Sequence, residues 1–285
     1  MSIERVGVVG CGLMGAGIAE VCARAGLDVT VVESNDQAAD SGRQRLTKSL
    51  TRAQERGKLD NAEEVLGRIG IGTEMAALQD RQLVVEAIVE DESAKVALFR
   101  RLDEIVTGQG AILASNTSSI PIMKLAVATK RPTHVLGIHF FNPVPVLSLV
   151  ELVPSLLTAT ETTDKARSFV TDQLGKHPIE SQDRAGFIVN ALLIPFILSA
   201  IRMLESGFAT AEDIDAGLVR GAAHPQGPLA LADLIGLDTT KAVAESLYEE
   251  FRDSSSVAPA LLNRMVEAGL LGRKSGRGFY DYSRS

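Results

Sequence analysis

The chain has 285 residues, 45% of them hydrophobic and 23% charged, with a formal net charge of −7 at pH 7. That length suits one large or two ordinary domains with a real core. The acidic balance argues against a nucleic-acid surface or an anionic membrane as partner, while leaving room for a small anionic ligand held by a few local cations.

Residues 1–5 lead straight into an apolar run with no basic region before a long apolar stretch, which predicts no secretory leader. The stretch 191–201 is too short to span a bilayer and contains Pro195. Cys11 and Cys22 form neither a CxxC pair nor a disulfide framework, so the sequence predicts a cytoplasmic protein in a reducing compartment. Asn116-Thr-Ser matches a glycosylation acceptor, an accidental match in an unsecreted chain.

In chain order, residues 4–9 read as a short buried strand, and Gly10, Gly12 and Gly15 then spell G-x-G-x-x-G. Apolar spacing over Met14, Ile18, Val21, Cys22 and Ala25 predicts a helix over 13–25 closed by Gly26. DVTVVES is a second strand ending at Glu33. The glycine pattern alone is weak; strand, turn, helix, strand and an acid about twenty residues on together mark a dinucleotide site. Gly10 allows the tight turn, Gly12 admits a pyrophosphate, Gly15 permits close packing, and the helix N-terminus attracts the phosphates. Glu33 would bind the adenosine ribose hydroxyls; no arginine follows it, which favours NAD over NADP.

Residues 36–68 are too long for a βα loop and read as an inserted helical hairpin broken near 56–60. Strands are predicted near 70–73 and over 83–89, then a helix over 93–106, a strand over 111–115, and SNTSS before a helix begun at Pro121. Strands over 135–141 and 149–153 flank the turn Asn142-Pro-Val-Pro145; a helix over 162–174 and a strand near 178–182 complete this half. From Gly186 the pattern is helical: one long apolar helix closed by Gly207, a Thr210–Asp213 capping pattern, and helices near 211–220, 229–251 and 259–268, with no strand pattern before the final GFYDY. The expected architecture is α/β: a Rossmann-type doubly wound sheet over 1–184, then an all-helical domain over 185–285.

GCGLMGAGIA, VVEAIVED, SNTSS, GIHFFNPVPVLSLVELV, GFIVNALL, GPLALADLIGLD and GRKSGRGFYDY follow one another in that order. Over essentially the whole chain they resemble the L-3-hydroxyacyl-CoA dehydrogenases, in particular the single-function bacterial 3-hydroxybutyryl-CoA dehydrogenases. The resemblance implies hydride transfer between NAD and C3 of a short-chain L-3-hydroxyacyl-CoA. It implies His139 as general base, Glu151 as its orienting carboxylate, and Ser118 and Asn190 close to the reacting oxygen. Cofactor contacts carry over to Glu33, Glu90, Lys95, Ser118, Asn142 and Lys274, and CoA contacts to Ser49, Arg56 and Ser118. It also implies a cleft site, a helical domain for substrate binding and dimerisation, and a homodimer. Ser148, Ala191 and Gln226 depart from the family's usual Lys, Arg and Met, as Arg56 does from Lys, which bears on chain-length preference and CoA contacts.

The chemistry is consistent with those residue types. Oxidising a secondary alcohol needs a base for the hydroxyl proton, and histidine, with an unperturbed pKa near 6.5, can take it. A carboxylate at the other ring nitrogen would fix the tautomer and stabilise the imidazolium. A lone histidine at a strand end is usually structural; His139 stands apart because Glu151, Asn142 and Ser118 accompany it, whereas His134, His177 and His224 read as structural or solvated. No metal site is expected. SNTSS could instead cap the helix at Pro121, the Arg273-Lys274…Arg277 cluster could instead be a solvated tail, and Cys11 reads as a structural thiol. The rival readings are an NAD-dependent dehydrogenase of a free 3-hydroxy (sugar) acid and a non-enzymatic NAD-binding relative; CoA contacts on the hairpin discriminate the first, and the His139–Glu151–Ser118–Asn190 set the second.

Overall fold

A computed structural model describes residues 2–283. Up to Asp183 the order is β1 (Arg5–Val9), α1 (Leu13–Arg24), β2 (Asp28–Val32), α2 (Asp36–Glu55), α3 (Ala62–Leu66), β3 (Ile69–Gly72), β4 (Leu83–Glu86) and α4 (Glu92–Ile105). There follow β5 (Ile112–Ser115), α5 (Ile122–Ala126), β6 (Val135–Phe140), β7 (Leu149–Pro154), α6 (Thr160–Ser168), which runs on as a π-helical turn, and β8 (His177–Glu180).

The eight strands form one sheet in the order β3-β2-β1-β4-β5-β6-β7-β8. β1 to β6 pair in parallel, β7 returns antiparallel to β6, and β8 runs parallel to β7. The central strands are valine-, leucine- and isoleucine-rich and buried on both faces, as a sheet covered by helices on both sides requires. β1 lies between β2 and β4, so the winding reverses beside it and the C-terminal edge opens there into a crevice.

The expected hairpin is α2 and α3. Asn35 accepts the Ala38 amide and Asn61 the Glu63 and Glu64 amides, each capping its helix. The buried stripe Ala39, Gly42, Leu46 and Leu50 seats α2 on the sheet unit, and Gly42 approaches Cys11 so closely that a Cβ there would lie 2.6 Å from its Sγ. Arg45 Nη1 donates to the Cys11 carbonyl, so the hairpin packs against the glycine loop.

Three local expectations change. The predicted strand over 83–89 ends at Glu86. No serine or threonine of SNTSS caps α5; the Ile122 and Met123 amides go to the two oxygens of Asp183, at 2.7 Å each, while Thr117 Oγ1 accepts the Ser119 and Ile120 amides. The single helix expected over 229–251 is two, because Gly236 at φ +103° turns the chain out of helical geometry.

From Arg184 onward the second unit contains α7 (Val189–Glu205), α8 (Ala211–Gly221), α9 (Pro228–Ile235), α10 (Leu237–Phe251) and α11 (Ala260–Glu267) around their own core. Thr210 caps α8 by accepting the Asp213 amide. Among the described residues GFYDY forms no strand; it contributes Asp281 to an isolated bridge with Arg277, which bridges Gly272 in turn. No helix among them is long and apolar enough to cross a membrane.

Candidate active site

The glycine loop divides the three roles as the motif predicts. Gly10 sits at φ +91°, where a Cβ would lie 2.7 Å from the Ala87 carbonyl oxygen. At Gly15 a Cβ would come within 1.9 Å of the Gly10 carbonyl oxygen. At Gly12 it would meet nothing within 4 Å, which leaves that backbone open to a ligand. Gly12 is also the N-cap of α1 and supplies no side-chain bond, and no acidic residue sits in the first turn, so the helix presents free N–H groups and a positive dipole end.

Beside the loop lies a cleft of about 500 Å³ lined by Gly10, Gly12, Glu33, Met75, Val89, Leu98 and Arg101 among others. Glu33 Oε1 accepts the Cys11 amide and Oε2 accepts the Ser34 amide at 3.0 Å, which orients its carboxylate at the end of β2. A dinucleotide fits this arrangement: an open phosphate turn, an acid at the second strand and an apolar slot beyond. Met75, Leu98 and Arg101 escaped the sequence because they reach the cleft from elements distant in the chain. Burial first, and Glu33 second, push the Cys11 thiol up to about 11, so it is a packing group rather than a nucleophile.

The second centre is built by the β6–β7 ladder. His139 and Glu151 are register partners, and their side chains meet at 2.8 Å between Nδ1 and Oε2. His139 is 4% exposed and Glu151 fully buried. The other ring nitrogen, Nε2, lies 3.0 Å from the Ser118 hydroxyl, and Phe141 packs edge-on to the imidazole. Glu151, His139 and Ser118 thus form a relay within the sheet unit. Asn116, buried after β5, accepts the Phe140 amide at 2.9 Å and pins the end of β6.

The intervening turn, with Asn142 exposed and its peptide to Pro143 cis, is held from two sides. Val144 packs where α1 carries Gly17, and Lys176 Nζ donates to the Val144 and Leu147 carbonyls at 2.7 and 2.6 Å. Ser148 is exposed; its backbone carbonyl accepts the His177 amide.

Glu90 governs the segment before Ser118. Its Oε1 accepts from the Thr117 hydroxyl, the Ser118 amide at 3.0 Å and the Ser119 hydroxyl at 3.2 Å, while Oε2 pairs with Lys95 at 3.0 Å. Burial alone would raise the Glu90 carboxyl, but the Lys95 ammonium and the Thr117 and Ser118 donors together hold it below the usual glutamate value. Lys95 itself is 1% exposed.

Ser49 and Arg56 lie on one face of the first hairpin helix, Arg56 closing it, with Arg45 and Arg52 at helical spacing along the same row. Asn190 is in the first turn of α7 and Lys274 in the 273–275 turn, both in the second unit. Lys274 Nζ lies 2.6 Å from Asp238 Oδ2. Ala191 donates its amide to the Gly186 carbonyl, and Gln226 precedes α9.

A doubly wound sheet with an open phosphate loop, and a histidine backed by a carboxylate and facing a hydroxyl, define an NAD-binding oxidoreductase. The family model for the NAD-binding domain of 3-hydroxyacyl-CoA dehydrogenases matches residues 5–184, and that for their C-terminal domain matches 186–282. The chain belongs to the 3-hydroxyacyl-CoA dehydrogenase family. It is 56% identical over 283 residues to a 3-hydroxybutyryl-CoA dehydrogenase of Mycobacterium tuberculosis, covering 99% of each chain. It is 39% identical over 289 residues to human mitochondrial hydroxyacyl-coenzyme A dehydrogenase, covering 98% of this chain and 91% of that one. The crystal structure of (S)-3-hydroxybutyryl-CoA dehydrogenase from Ralstonia eutropha matches with a TM-score of 0.92 at 46% identity, covering 99% of this chain and 100% of the other.

Proposed function

We propose that the protein transfers hydride between NAD and C3 of a short-chain L-3-hydroxyacyl-CoA. The observation that carries this reading is the relay Glu151–His139–Ser118 at 2.8 and 3.0 Å on the sheet unit that also holds the phosphate loop. NAD supplies the hydride acceptor. Its diphosphate would rest on Gly10, Gly12 and the α1 N-terminus and its ribose on Glu33, with Glu90, Ser118, Asn142 and Lys274 as further contacts. Because Lys95 is 1% exposed and bonded to Glu90, we assign it to the cofactor site through Glu90 rather than by direct contact.

In the oxidation direction His139 Nε2 takes the proton of the substrate hydroxyl while Ser118 holds that oxygen; Asn190 is the further residue that the family resemblance assigns to this role. Glu151, at Nδ1, keeps the ring in the tautomer whose Nε2 carries no proton and stabilises the imidazolium that forms. Ser49 and Arg56 would bind CoA, with an arginine fork in place of an ammonium changing the geometry of the phosphate contact. The test is steady-state turnover of 3-hydroxybutyryl-CoA and longer acyl-CoAs beside free 3-hydroxybutyrate, each with NAD and NADP. The expected kcat/KM favours the CoA ester over the free acid, and NAD over NADP, by about 100-fold or more. Equal or better turnover of the free acid would replace this reading with the sugar-acid alternative.

We further propose a cytoplasmic homodimer. Leu192 and Met203 on α7 and Phe208 beyond it are 73%, 42% and 80% exposed, apolar side chains that a second copy of the chain would cover. Sedimentation should give twice the chain mass at micromolar concentration; a monomer over the whole accessible range refutes the dimer.

A further inference from the structure

β4 ends at Glu86, whose fully buried side chain stands in register between Val9 of β1 and Ser115 of β5. Its Oε1 accepts from Lys95 Nζ at 2.6 Å and the Ile88 amide at 2.8 Å; its Oε2 accepts the Ser115 hydroxyl at 2.6 Å. Two chains of bonds leave this carboxylate. One runs through Lys95 to Glu90 and on to the Thr117 hydroxyl and the Ser118 amide. The other runs through the Ser115 hydroxyl, which accepts the Thr117 amide at 3.1 Å. The first ends on Thr117 and Ser118 and the second on Thr117, the residues that carry the Ser118 hydroxyl to His139.

Stability alone is a poor account of this arrangement. The Glu86 carboxylate and the Lys95 ammonium are taken out of water, while Glu90 stays partly solvated; burying such a pair carries a large desolvation cost, and apolar side chains of similar volume usually stabilise a core as well or better. What such a network supplies is one fixed geometry. We propose that Glu86 is a positioning residue for Ser118: through Lys95–Glu90 and through Ser115 it locks the 117–118 backbone so that the serine hydroxyl stays within reach of His139 Nε2. This inference rests on the roles given above to Ser118 and His139.

The test is Glu86→Gln, alone and combined with Ser118→Ala. The glutamine oxygen can still serve Lys95 and Ile88, but its amide nitrogen meets the Ser115 hydroxyl as a donor. The hydroxyl must then accept from the glutamine and the Thr117 amide together and turn its own proton elsewhere, so the bonds that hold Thr117 rearrange. Glu86→Gln should lower kcat about tenfold while KM for the acyl-CoA stays within about twofold. In the Ser118→Ala background the same change should lower kcat by less than about twofold, because its effect travels through the missing hydroxyl. Ser115→Ala, which leaves the ion pairs intact, should show a smaller loss with the same dependence on Ser118, and carries the test if Glu86→Gln does not fold. An unchanged kcat, or equal losses in both backgrounds, overturns the inference alone. A Ser118→Ala enzyme with wild-type kcat would overturn the site reading and this inference with it.

Discussion

Replacing His139 by glutamine should lower kcat for 3-hydroxybutyryl-CoA oxidation by about 10³-fold or more, with KM for both substrates within about threefold. Glutamine has a similar length and can still bond to Ser118 and Glu151, but it cannot accept and release a proton at neutral pH. The strand that carries residue 139 is buried along its whole length, so the backbone is held by β5 on one side and β7 on the other. The change therefore tests chemistry rather than folding, and an unaltered thermal midpoint is the control. Glu151→Gln should act through the histidine: about 10²-fold in kcat, and little further loss when added to His139→Gln, since groups that work as a unit are non-additive. A His139→Gln enzyme within tenfold of wild type would exclude histidine as the base. Independent, multiplicative losses would exclude the relay.

The same segment shows how far a sequence can be read. HFFNPVPVLSLVE displays the residue types, and two strand-like runs around a proline turn suggest that its ends meet. The register that sets residue 139 opposite 151 belongs to the turn, and the turn is fixed by partners remote in the chain: Gly17 against Val144, Lys176 on two carbonyls, and Asn116 at the end of β6. The glycine loop was legible for the opposite reason, because its glycines and its acid follow one another within a single strand–turn–helix–strand unit. Glu86 was hidden inside an apolar strand, where only the positions of Lys95 and Ser115 give the carboxylate a purpose. Asp183 was invisible as a helix cap since it lies 61 residues from the amide it accepts. The split at Gly236 was missed because the apolar spacing continues across it, while the backbone turns to seat the C-terminal segment.

That segment is where the largest effect on stability is expected. Asp233 of α9 is 1% exposed, and its two oxygens accept the Phe279 amide and the Tyr280 amide, at 3.0 Å each, with the Tyr282 hydroxyl at 3.1 Å. Gly278 and Gly272 leave it room: a Cβ at the first would lie 1.9 Å from Asp233 Oδ1 and at the second 2.3 Å from its carbonyl oxygen. Burial raises the Asp233 carboxyl and Asp215 adds to the rise; the three donors pull the other way without cancelling it. Asp233→Asn keeps the shape but can present an oxygen to just one of the two amides, leaving an N–H facing an N–H. It should destabilise the protein by about 2–4 kcal/mol, read as a lower urea midpoint, and speed proteolysis near residues 272–282. An unchanged midpoint would show that the carboxylate does not staple the tail. The 273–275 turn that this staple holds carries Lys274, proposed above as a cofactor contact. If that lysine serves the cofactor, Asp233→Asn should raise KM for NAD more than it lowers kcat, and Lys274→Ala should give the same rise in KM without the loss of stability. A Lys274→Ala enzyme with wild-type KM for NAD would remove that residue from the site and leave Asp233 a purely structural anchor.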